Sequence, residues 1–95
     1  MTYSDTNLLD ALNNIVIDLT DTGNFIVDSR GPCVLGAKPT TKPIGYLFTM
    51  VGPSGRHSII ATTAEIEDDG QVVTKRVQAH WRGFLESNGV VIQSD

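Results

Sequence analysis

Apolar positions recur with different periods along this chain, and each period predicts a different element. Leu8, Leu9, Ala11, Leu12 and Ile15 follow at helical spacing behind Ser4, an N-cap residue type, and Asp5, which suits a first helical turn. A short N-terminal helix over 4–14 is expected, weakened at its end by Asn13-Asn14. Ile15, Ile17 and Leu19 then alternate with Val16, Asp18 and Thr20 before Asp21-Thr22-Gly23-Asn24 supplies turn chemistry and Phe25-Ile26-Val27 returns, the pattern of a β-hairpin. Between Ser29 and Pro43, three Pro and two Gly leave Val34-Leu35 beside Cys33 as the apolar anchor, so a long loop, or one holding a very short strand, is expected there. Tyr46 through Val51 reads as a strand, Gly52-Pro53-Ser54-Gly55 as a turn, and Arg56 through Thr63 as the partner strand.

The last third fits two periods. With period two, Val73, Lys75, Val77, Ala79 and Trp81 share one face, Thr74, Arg76, Gln78, His80 and Arg82 share a polar one, and Asn88-Gly89 turns into Val90-Val91-Ile92. With period 3.6, Val73, Val77, Trp81, Phe84 and Leu85 form a stripe, Asp69 is an N-cap and Gly89 a C′ residue, and Thr63-Ala64-Glu65-Ile66 becomes a preceding helix. Paired Thr and Val are poor helix formers, and Gly70 and Gly83 interrupt, so the strand reading is preferred. Composition leans the same way. Val, Ile and Thr total 27 residues, as many as Ala, Leu, Glu, Gln, Lys, Arg and Met together, a balance that favours strand.

The 95 residues make a single domain over 1–95, mostly β, with the short helix followed by strands through to the end. Apolar runs stop at three residues and the N-terminus lacks a basic and apolar leader pattern, so a soluble, unexported, non-membrane protein is expected. One cysteine permits no internal disulfide and fits a reducing cytoplasm. The net charge of −4 argues against gripping nucleic acid with the whole surface, but the charges are segregated. Residues 1–29 hold five Asp and no base, whereas 30–64 hold Arg30, Lys38, Lys42 and Arg56 and no acid. An anionic ligand on the middle segment is compatible with that distribution.

Leu8-Leu9-Asp10-Ala11-Leu12 followed by Ile15-x-Ile17-x-Leu19-x-Asp21-x-Gly23 resembles the opening of Sm-like proteins, including the bacterial Hfq type, and Trp81-Arg82-Gly83 resembles the apolar-Arg-Gly of the second Sm motif. The resemblance covers about 4–28 and 79–92. It departs by one extra residue between Asp21 and Gly23 and by the missing Asp and Asn of the uridine-binding loop. What it implies is a five-stranded, strongly bent SH3-like or Sm-like barrel over 15–95 behind the N-terminal helix. It further implies a closed homo-oligomeric ring, single-stranded RNA as ligand, and no enzymatic activity. In general appearance the chain is also similar to small phage and marine metagenomic proteins, for which the compartment would be the host cytoplasm.

The residues expected to meet RNA are Arg82, Gly83, His80, Arg76, Arg56, His57, Lys38 and Lys42. Arg82-Gly83 combines a guanidinium that forks to phosphate or stacks on a base with a glycine that lets the chain turn tightly. In the strand reading His80 and Arg76 share its face; Arg56 and His57 flank a turn whose amides suit an anion; Lys38 and Lys42 sit in the Pro-rich segment. Solvated faces and ordinary turns account for the same residues. Cys33, His57 and His80 lack zinc spacing, Cys33 lacks a catalytic signature, and Glu65-x-Glu67-Asp68-Asp69-Gly70 lacks the alternation of a calcium loop, so neither metal nor cofactor is expected. Two further readings stand beside RNA binding: a winged-helix-like DNA-binding modulator using 62–89, with Lys75, Arg76, His80 and Arg82 toward the duplex, and a phage-type structural or inhibitory interaction protein acting through the acidic N-terminal third.

Overall fold

The computed structural model describes residues 2–4, 25–40 and 45–93. Strand β1 is Thr2–Ser4, β2 Phe25–Arg30, β3 Cys33–Pro39, β4 Gly45–Gly52, β5 Gly55–Thr62 and β6 Val91–Gln93, with helix α1, Thr63–Ser87, between the last two strands. Strands β2 to β5 form an antiparallel meander in the order β2-β3-β4-β5, and β1 pairs in parallel with β6.

Among the described residues the strands do not close into the barrel implied by the Sm-like resemblance: the sheet is open, with β2 and β5 as its edges, and a long helix after the meander covers one face. The helix among the described residues is C-terminal to the meander. Of the expected N-terminal helix, Ser4 lies in β1, and 5–14 fall outside the described residues, as does the first arm of the expected hairpin, 15–24. The expected loop between Ser29 and Pro43 holds the β2–β3 hairpin instead, with Gly31-Pro32 as its two-residue connection and Gly31 at φ 57°. Its strand was obscured because the buried positions of β3 include the small residues Cys33 and Ala37 beside Leu35, so the alternation is one of size and burial rather than of Val and Ile. The expected strand pair around Gly52-Pro53-Ser54-Gly55 is present, in register from Gly45↔Thr62 to Gly52↔Gly55.

Over 70–87 the period of 3.6 is the one realised. Val73, Val77, Trp81 and Leu85 are buried against Cys33, Leu35, Tyr46, Phe48, Met50 and Ala61 of the sheet. Each such aliphatic side chain contributes about 1.5–3 kcal/mol when fully buried, against propensity penalties of at most ~0.7 kcal/mol for a β-branched residue. Thr74, also buried, satisfies its hydroxyl by donating to the Gly70 carbonyl at 2.8 Å. Beneath Trp81 lies a polar knot. Its indole N–H donates to Asp28 Oδ2 at 2.9 Å, and Arg30 Nε donates to the same oxygen at 2.8 Å.

Both ends of α1 are capped by local chemistry. Thr62 Oγ1 accepts from the Glu65 amide, and the Glu65 carboxylate accepts from the Thr62 amide, a reciprocal capping box. At the other end Gly89, at φ 79°, donates to Glu86 and Val90 donates to Leu85, a Schellman termination that tucks Val90 over Leu85. The helix breaks once, at Asp69 (φ −155°, ψ 94°), whose carboxylate caps the second segment by accepting from Gln71 and Val72. Along a straight helix, Glu65 and Arg76 would stand about 16 Å apart. The break folds the first turn back, so that Arg76 Nη1 lies 3.2 Å from Glu65 Oε1 and braces the kink.

Candidate functional site

The C-terminal half of α1 and the β4–β5 turn enclose an open cleft of ≈ 630 Å³. From the turn comes Ser54 and from β5 come His57, on the face toward α1, and Arg56, which stands on the opposite face of this edge strand and lines both the cleft and a second hollow there; from the helix come Ala79, His80, Gly83, Phe84 and Ser87. Four of the five helical members, His80, Gly83, Phe84 and Ser87, sit at positions i, i+3, i+4 and i+7, the spacing of one helix face. Register places His57 opposite Met50, on the side of β5 that faces α1. There its ring stacks on that of His80, with centroids 5.5 Å apart and planes 29° from parallel. Asn88 locks the turn to the helix end: its Oδ1 accepts from the Ser54 amide at 2.9 Å while its Nδ2 donates to the Phe84 carbonyl at 2.7 Å.

The chemistry of the cleft is cationic and aromatic. Arg56, His57 and His80 are exposed, and no carboxylate is among the lining residues, although acids outnumber Lys and Arg 11 to 7 in the chain. A guanidinium can fork to a phosphate and a stacked imidazole pair offers a flat face to a base. Ser87 donates its hydroxyl to the Gly83 carbonyl at 2.9 Å. A Cβ on Gly83 would meet nothing within 4 Å, so the fold does not require glycine there.

Of the residues expected from sequence, Arg56, His57, His80 and Gly83 therefore meet in one place. The others do not join them. Arg82 and Gly83 lie within α1 rather than in a loop, so Gly83 makes no tight turn. Arg76 is committed to Glu65 and reaches the Ile60 carbonyl at 3.5 Å. Lys38 projects from the sheet face opposite α1, and Lys42 lies outside the described residues. The acidic segment Glu65 through Gly70 is helical up to the Asp69 break. Sequence reasoning missed Ser54, Phe84, Ser87 and Asn88; the helical spacing of His80, Phe84 and Ser87 was the signal that would have found three of the helix residues together.

Among the described residues, no group of three or more His, Cys, Asp or Glu side chains could hold a metal ion. Cys33 is fully buried, and desolvation raises its thiol pKa, which keeps it protonated and unreactive. No described helix is long and apolar enough to cross a membrane. Most of the acidic N-terminal third lies outside the described residues. No protein-family model matches the chain, and no match to it is found among curated proteins or solved structures.

Proposed function

We propose that the protein is a non-enzymatic binding protein that takes single-stranded RNA in the cleft between α1 and the β4–β5 turn. The observation that carries the reading is the convergence of Arg56 with the stacked His57–His80 pair in a cleft lined by no carboxylate, in a chain of net charge −4. Arg56 would contact a phosphate and the imidazoles a neighbouring base, while the acidic remainder of the surface confines the strand to this one place. Single-stranded ligand is favoured over duplex because the duplex reading needs Lys75, Arg76, His80 and Arg82 together. Arg76 is paired with Glu65, and His80 turns toward β5.

Fluorescence anisotropy with labelled oligo-U and oligo-A tests it across a salt series. Each phosphate contact to a single strand contributes about −0.7 to the slope of log K against log salt, so Arg56→Ala should flatten the slope by about that amount. Paired His57→Ala and His80→Ala changes should weaken binding by about 1–3 kcal/mol if a base stacks there. No binding at low salt, or binding that these substitutions leave unchanged, refutes the reading.

A further inference from the structure

Cross-strand register sorts the sheet's residues onto two faces. Rows such as Leu35–Met50 and Ala37–Phe48 lie under α1, whereas Ile26–Gly36–Thr49–Ser58, Val34–Val51–Arg56 and Lys38–Leu47–Ile60 lie on the opposite face. Among the described residues, four of the six large hydrophobic side chains that remain exposed are on that opposite face: Ile26 (78%), Ile60 (56%), Val51 (42%) and Val34 (37%). Around Gly36, Ile26, Val34 and Val51 border a hollow of ≈ 280 Å³, with Leu47 completing its wall. A Cβ on Gly36 would stand 3.3 Å from the Phe25 carbonyl oxygen, so a side chain there would need β2 to give by a few tenths of an ångström. A concentrated aliphatic surface of this kind marks an interface rather than scattered exposure.

We propose that this face binds the same face of a second copy of the chain, giving a two-fold dimer of stacked sheets. Area supports a second copy. The 29 residues of the four strands, at ~4.8 Å spacing and ~3.3 Å rise, present about 460 Å² of flat surface per copy, or about 920 Å² for the pair, and side-chain relief brings this to the lower bound of about 1,000 Å² for a specific interface. The two cations on it do not oppose the pairing. Lys38 and Arg56 occupy different rows and different strands, so a two-fold about either in-plane axis sets Lys38 against Val34 or Leu47 and Arg56 against Ile60 or Ser29, never cation on cation.

Assembly through the sheet edges, which a ring would use, is less favoured. The β2 edge is interrupted by a bulge between Ile26 and Asp28, and on the β5 edge Arg76 reaches the Ile60 carbonyl while Arg56 adds charge. Bulges and edge charges are devices that block strand addition.

Light scattering behind size exclusion, run on the whole chain over a dilution series, tests the pairing. The wild type should elute at twice 10.3 kDa, and Ile26→Lys and Ile60→Lys should each return it to 10.3 kDa. Both sites are solvated in the single copy, so the fold should survive, which unchanged Trp81 fluorescence would verify. Val72→Lys, an equally exposed position on α1, should leave the dimer intact. A wild type that is monomeric at every concentration, an assembly of any other size, or a dimer that persists in both lysine variants overturns the proposal. Neither lysine site lines the cleft, so RNA binding by the monomeric variants separates this outcome from that of the RNA reading.

Discussion

Removing the Asp28 carboxylate should unfold more of this protein than any surface change, and the reason lies in one oxygen atom. Asp28 Oδ2 receives the Arg30 guanidinium at 2.8 Å and the Trp81 indole at 2.9 Å, with the Arg30 and Asp28 side chains only 3% and 11% exposed. In Asp28→Ala the guanidinium stays buried without that counter-charge, a change that typically costs about 3–5 kcal/mol, and the indole N–H loses its acceptor. Against a total stability of roughly 5–15 kcal/mol for a domain, that is a large share. At about 4–8 °C per kcal/mol for a domain of this size, the midpoint should fall by at least about 12 °C. Urea denaturation followed by tryptophan fluorescence suits the measurement because Trp81 is the one tryptophan of the chain and sits at the altered site. Asp28→Asn, which retains an acceptor oxygen for the indole, should fall between wild type and Asp28→Ala. Removing both charges together, in Asp28→Leu with Arg30→Met, should recover much of the loss, since buried ion pairs are often replaceable by apolar residues at little cost. If Asp28→Ala lost less than about 1 kcal/mol, the value of an exposed pair, or if the double substitution proved worse than the single one, the account of this knot as a buried, mutually dependent pair would be wrong.

Further expectations concern the cleft and the kink. Gly83→Ala should stabilise the fold by about 1 kcal/mol, because a helical glycine with open space around its Cα gains propensity without a clash; the same methyl narrows the cleft, so oligo-U affinity should drop while the urea midpoint rises. Opposite signs in those two measurements are the signature, and a gain in both would separate Gly83 from the ligand site. Glu65 carries the pH dependence of the kink: hydrogen bonds from Arg76 first, then from the Thr62 amide and hydroxyl, lower its pKa from 4.5 to about 2. A carboxylate depressed in the folded state stabilises fully above its unfolded value, and the contribution fades as pH falls from about 4.5 through about 2. Thermal melts of wild type and Glu65→Gln should therefore differ near neutrality and converge at the acid end of that window; a constant gap would show that Glu65 acts through something other than its charge.

Much of this architecture was written locally. The β4–β5 hairpin follows from aliphatic alternation on either side of Gly52-Pro53-Ser54-Gly55, and the α1 ends from Thr62-x-x-Glu65, Asp69 and Gly89, whose side chains or backbone freedom satisfy helix termini without help from distant residues. Only the tertiary structure decided between helix and strand for the chain after Gly70. There the local preferences differ by tenths of a kcal/mol per residue and nearly cancel, whereas laying Val73, Val77, Trp81 and Leu85 on the sheet gains kilocalories at each position. That one decision also made the site. Period two would have set His80 on a wet strand face with Arg76 and Arg82; the helix instead turns it toward His57, more than twenty residues away in sequence, and leaves Arg76 to brace the Asp69 break. The same decision opened the sheet, because a helix that covers one face removes the need to curl the strands into a barrel, and it left the other face, with Ile26 and Ile60, still bare.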